Sequence, residues 1–156
     1  MSISLLRHAL ATLAYRGGKA IRDAPPEFAD YRASETSRTP LQILAHVNDL
    51  LDWMDGFLTG VHKWQASTPA AWSEEVARFH STLARVDQRL ANPLPPDTSL
   101  ERLFQGPVAD ALTHVGQLTF LRRMAGTPVR GENYYVADIE AGRVSAQQPH
   151  ARREFD

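Results

Sequence analysis

The stretch Thr39-Pro40-Leu41-Gln42-Ile43-Leu44-Ala45-His46-Val47-Asn48-Asp49-Leu50-Leu51-Asp52-Trp53-Met54-Asp55-Gly56-Phe57-Leu58-Thr59-Gly60 decides the fold. Thr39 is placed to cap a helix, Pro40 suits the first helical position, and Gln42 completes a capping box. Two adjacent apolar stripes follow at helical spacing. One is Leu44, Val47, Leu51, Met54 and Leu58; the other is Ile43, His46, Leu50, Trp53 and Phe57. Asn48, Asp52, Asp55 and Thr59 are left as the solvated face, and Gly60 is a stop signal. His46 is the one imidazole in an otherwise apolar stripe.

The same periodicity extends in both directions. Residues 4–22 form a first helix on Leu6, Leu10, Leu13, Ala20 and Ile21, with Gly17-Gly18 weakening its second half. Residues 23–38 are a long connection containing Pro25-Pro26, and residues 61–71 are a second. Trp72, Val76, Phe79, Leu83, Val86 and Leu90 give a third helix, ended by Asn92-Pro93. Thr98 and Glu101 suggest a capping box for a fourth, which Gly106-Pro107 should break or kink before it runs on to about Met124. Strand signals are nearly absent. The expectation is an all-α, single-domain four-helix bundle over about residues 1–128. Its two long connections argue against a simple up-down-up-down order. Residues 129–156 are an arm packed on the bundle with a frayed end.

Composition narrows the function. The chain has 156 residues, 43% hydrophobic, enough for a real core in one domain. A net charge of −1 favours neither nucleic acid nor an anionic membrane. With no cysteine, a disulfide framework, a thiolate metal site and a cysteine nucleophile are excluded. That fits a cytoplasmic protein. Arg7 and His8 interrupt the amino-terminal apolar run, so no signal peptide is expected, and no stretch is apolar enough to span a bilayer.

The chemistry-bearing residues lie on the second and fourth helices. Asp110-Ala111-Leu112-Thr113-His114 places a carboxylate and an imidazole four residues apart, on one helical face. Leu103 and Leu121 fall on the same stripe, so the two polar groups should be enclosed and therefore paired or ligated. With His46 from the facing helix, Asp110 and His114 make a candidate metal site of two imidazoles and one carboxylate. Each alone has a plainer reading: His46 as a core imidazole, Asp110 as a partner of Arg102 or Arg122, His114 as a buried and satisfied ring. Asp110 can also act by orienting His114. Gln117, one turn beyond His114, is a candidate catalytic residue that orients water or a substrate group, or else a buried amide bonded to a neighbouring helix. Trp53, Phe57 and Trp72 either line a pocket near the metal or are core. His8, His62, His80 and His150 lack ligand spacing. No zinc-protease helix, phosphate loop, nucleophile elbow or dinucleotide fingerprint is present.

The segment 39–46 resembles the histidine-bearing second helix of the DinB-like (DinB/YfiT) metalloenzymes. The segment from Asp110 to Gln117, with Leu121-Arg122-Arg123-Met124-Ala125-Gly126-Thr127-Pro128-Val129, resembles that family's last-helix signature, in which a histidine and a Gly-Gln pair close the metal site. The resemblance implies an up-down-down-up bundle, often a homodimer, holding zinc or nickel through three side chains. It also implies use of a low-molecular-weight thiol in some members, for transfer or isomerisation of a small molecule. The family usually has His-x-x-x-His on its last helix, and Asp110 stands at the first position here. A carboxylate makes the site harder and brings iron and manganese into consideration beside zinc. On this reading the bound metal activates a thiol or water. The alternative is a non-catalytic bundle with a degenerate site, binding a small ligand or a partner. A closed structural zinc site would need a fourth ligand.

Overall fold

The computed structural model describes residues 1–155. The chain is mostly helical: α1 (Ile3–Ile21), α2 (Pro40–Phe57), α3 (Trp72–Leu90), the short α4 (Leu100–Leu103) and α5 (Ala109–Met124). A π-helical turn, Phe104–Val108, joins α4 to α5, so the three run on as one fourth rod. Of the break or kink expected at Gly106-Pro107, there is no break: the helix is locally irregular there and continues to Met124. The wider π-turn accommodates the missing N–H of Pro107 without ending the helix.

Local sequence accounts for the helix starts. Ser2 caps α1, accepting from Leu5 N at 3.1 Å. The capping box of α2 is present: Thr39 Oγ1 accepts from Gln42 N at 3.2 Å, and Gln42 Oε1 accepts from Thr39 N at 2.9 Å. The box expected at Thr98 is displaced by one residue, because Ser99 caps α4 and Glu101 pairs with the Met1 ammonium instead. The helix α1 runs unbroken through Gly17-Gly18. A Cβ at Gly17 would lie 2.6 Å from Phe79 Cζ, so glycine lets α3 approach closely. Gly60, at φ +79°, lets the chain turn back after α2.

The face of α2 expected to be solvated is an inter-helix seam. Asn48 is fully buried and donates to Glu75 Oε2 at 2.7 Å and to the Glu75 carbonyl at 2.9 Å. Arg78 joins Asp49 and Asp52 at 2.7 and 2.6 Å. Arg85 joins Asp52 and Asp55 at 2.5 and 3.0 Å, and Arg89 also meets Asp55. The arginines of α3 supply charge partners that helical periodicity on α2 alone does not reveal. Carboxylates and arginines meet in the same order along both helices, so α2 and α3 run side by side in the same direction. Arg7 meets Asp87, and Gly17 meets Phe79, so α1 and α3 run oppositely.

A single apolar core lies between the helices, with Leu6, Leu10, Leu44, Leu51, Met54, Phe79, Leu83 and Leu118 all fully or nearly fully buried. The carboxy-terminal arm packs on it through Val144 and is tied to α1. Its strands β1 (Gly131–Glu132) and β2 (Glu154–Phe155) pair antiparallel. Buried Glu132 accepts from Tyr15 Oη at 2.6 Å and from Lys19 Nζ at 2.8 Å. Among the described residues, no helix is long and apolar enough to cross a membrane.

Candidate metal centre

His46 sits midway along α2, while Asp110 and His114 occupy successive turns of α5, the helix packed against it. The structure brings the three together. His114 Nε2 is 3.3 Å from Asp110 Oδ1, and His46 Nε2 is 4.0 Å from Asp110 Oδ2. The imidazoles meet edge to face with centroids 4.8 Å apart. One donor atom from each residue falls within 4.8 Å of the others.

That spacing suits a divalent metal. Ligands at about 2.0–2.1 Å in a tetrahedral site stand roughly 3.3 Å from one another. The Asp110–His114 pair has this separation, and His46 lies slightly outside it. Two imidazole nitrogens and a carboxylate oxygen are a donor set for zinc, nickel, iron or manganese. Among the described residues no fourth histidine or carboxylate joins the group, so coordination positions would stay open.

Burial differs from the sequence expectation. The side chains of His46 and His114 are 24% and 13% exposed, but that of Asp110 is 47% exposed. Leucines do not enclose it, although Leu103 and Leu121 are buried. The π-turn puts Leu103 out of register with Asp110, and Leu121 lies eleven residues further along α5, about 16 Å away and too far to cover it. Neither Arg102 nor Arg122 pairs with it. Arg122 instead donates to the carbonyls of Thr127 and Arg22 at 2.8 and 3.2 Å.

Two features prepare the imidazoles to ligate. His114 Nδ1 lies 2.8 Å from Gln117 Oε1. An amide oxygen only accepts, so this contact is a hydrogen bond in the tautomer with the proton on Nδ1, the form that leaves the Nε2 lone pair for a metal. Gln117 is therefore an exposed residue bonded within its own helix, and not a buried amide reaching a neighbouring one. His46 is held below the ordinary imidazole pKa, first by burial and then by the nearby charges of His114 and Arg38, against the opposing pull of Asp110. It is thus a neutral imidazole at neutral pH, with a nitrogen lone pair to offer.

The surroundings include residues that periodicity missed. Trp64, in the connection after α2, stacks edge-on over His46 at 5.7 Å and against Trp53 at 5.6 Å. Asp49 fixes that connection, accepting from Ser67 N at 3.0 Å and Ser67 Oγ at 2.7 Å. Trp53 and Phe57 line a cavity of about 540 Å³ with Leu103 and Pro107. Trp72 packs on Phe28 and lines a different cavity, bounded by α1 residues. A third cavity, about 680 Å³, opens beside His114 and Gln117. Trp64 lies in an aperiodic loop; only its residue type, an aromatic in a polar segment, could have flagged it. Tyr134 packs on Tyr15 and Arg16, and Tyr135 is exposed, so neither covers the site. His62 rests on Phe57, and His80 on Phe79.

No family model, curated protein or solved structure matches this chain.

Proposed function

We propose that the protein is a metal-dependent enzyme of the DinB-like kind, acting on a small molecule by transfer, isomerisation or hydrolysis. The observation that carries this reading is the convergence of His46, Asp110 and His114, with Gln117 fixing the His114 tautomer. The parallel run of α2 and α3 and the antiparallel α1 and α3 support the up-down-down-up arrangement that the resemblance implies.

The residues divide the work. His46 and His114 offer nitrogen donors, and Asp110 offers a carboxylate oxygen. Trp64 packs edge-on against His46 and limits access from that side. The cavity beside His114 admits a reactant to the open side. A divalent cation held there, zinc or nickel first and then iron or manganese, supplies Lewis acidity that lowers the pKa of a thiol or water.

The test is metal content by elemental mass spectrometry on tag-free protein. Near-stoichiometric metal in the wild type, lost in His46→Ala and Asp110→Ala, is the expected result. A wild type that takes up no zinc, nickel, iron or manganese on dialysis would replace this reading with a non-catalytic bundle. Full metal retention by His46→Ala would overturn the ligand assignment.

A further inference from the structure

The cavity of about 680 Å³ beside the metal centre is lined by Ile43, Phe120 and Leu121, by His114 and Gln117 of the site, and by Arg38. Its volume lies within the range of small-molecule sites. No acidic side chain lines it. Arg38 is the only full charge on its wall, standing just before the capping box of α2.

Arg38 differs from most arginines of this chain. Arg7, Arg78, Arg85, Arg89, Arg143 and Arg152 each meet a carboxylate. Arg38 makes no hydrogen bond or ion pair with any described residue. A guanidinium offers a planar fork of donors that matches a carboxylate in two parallel hydrogen bonds.

The rest of the wall suits an apolar body. Phe120 is 55% exposed and presents its ring to this cavity. Gly116 lies between Thr113 and Phe120 on the same wall, and a Cβ there would meet nothing within 4 Å. A glycine in a helix with no steric need for it is less favourable than alanine. Here it leaves the floor of the cavity open.

We propose that this cavity binds an organic carboxylate with an apolar body, the carboxylate on Arg38 and the body against Ile43 and Phe120, so that its far end faces the centre at His114. The inference deepens the metal-enzyme reading and rests on it for the role of the bound molecule, but its binding test can fail separately.

The test uses tag-free, zinc-treated protein, with metal content measured on each sample. Benzoate is the probe and benzamide its neutral counterpart, both titrated by calorimetry. Benzoate should bind the wild type about tenfold or more tightly than benzamide, as expected for a charge-assisted pair. Arg38→Gln should remove that difference and leave zinc content unchanged, while Arg38→Lys retains part of it. Gly116→Phe should fill the cavity and abolish binding of both probes with zinc still held. Arg38→Gln binding benzoate within twofold of the wild type, equal binding of the two probes, or no benzoate binding by the wild type would each overturn the proposal. If zinc is not held but Arg38-dependent benzoate binding persists, the anion site stands and the metal reading falls.

Discussion

Gln117 decides which nitrogen of His114 is free. Its amide oxygen accepts the Nδ1 proton one turn away on the same helix, turning Nε2 toward Asp110. Removing that acceptor lets the imidazole change tautomer and rotate. Gln117→Leu is expected to weaken zinc binding by about 10–100-fold, the usual effect of losing such an orienting partner. Competition against a chromophoric chelator measures it, with circular dichroism to show intact helices. Gln117→Glu, which keeps an acceptor, should bind close to wild type. A leucine variant with unchanged affinity would remove Gln117 from the site.

Asp49 ties the connection after α2 to the helix at Ser67, and Arg78 completes the joint by bonding to both. Asp49→Ala leaves a buried joint half-made and is expected to cost about 3 kcal/mol, read from urea unfolding. Ser67→Ala should cost about 1 kcal/mol, since it leaves the ion pairs intact. Both variants should speed amide exchange around Trp64. Exchange unchanged in both would mean that this connection is held by something else.

Gly17→Ala places a methyl group against the Phe79 ring in a packed core. The expected loss is about 1–3 kcal/mol. Gly116→Ala is the opposite case, an open helical position, and should gain about 0.5–1 kcal/mol. Chemical denaturation of the two variants beside the wild type checks both signs in one experiment.

His80 sits half-buried against Phe79, with Nδ1 unpartnered, and burial holds its pKa below the ordinary 6.5. The unfolded chain therefore binds the proton first. The stability that neutral His80 contributes is complete above pH 6.5 and is lost as pH falls from 6.5 through the lower folded value. His80→Leu should flatten that part of the stability–pH curve. The difference between variant and wild type isolates it from His46, which titrates in the same direction. An unchanged slope between pH 7 and pH 5 (roughly the His range) would refute it.

Helix positions were legible where the signal is local. Thr39, Pro40 and Gln42 mark the start of α2 because a capping box is made by residues three apart. The apolar stripes of α2 and α3 point to the core for the same reason. The face carrying Asn48, Asp52 and Asp55 was read as solvated because its partners, Glu75 and the α3 arginines, are about thirty residues away. His46, Asp110 and His114 were legible because a polar residue in an apolar stripe and a four-residue spacing are both visible in sequence. The exposure of Asp110 was not, since nothing in Phe104–Val108 except Gly106-Pro107 announces a π-turn. Trp64 and Arg38 were missed because they lie in connections, where no periodicity assigns a direction.

The parallel pairing of α2 and α3 has a price in chain length. Asn48 is level with Glu75, so after Phe57 the polypeptide must climb back past several turns of α2, about 15 Å at 1.5 Å per residue, before α3 can begin. Residues 58–71 make that ascent along α2 itself, with Val61 bonded to Gly56, His62 on Phe57, Trp64 on Trp53 and His46, and Ser67 on Asp49. The roof over His46 is thus a by-product of connectivity. A permuted chain that joined α2 to an antiparallel neighbour by a tight turn would keep His46, Asp110 and His114 and leave the first of them bare.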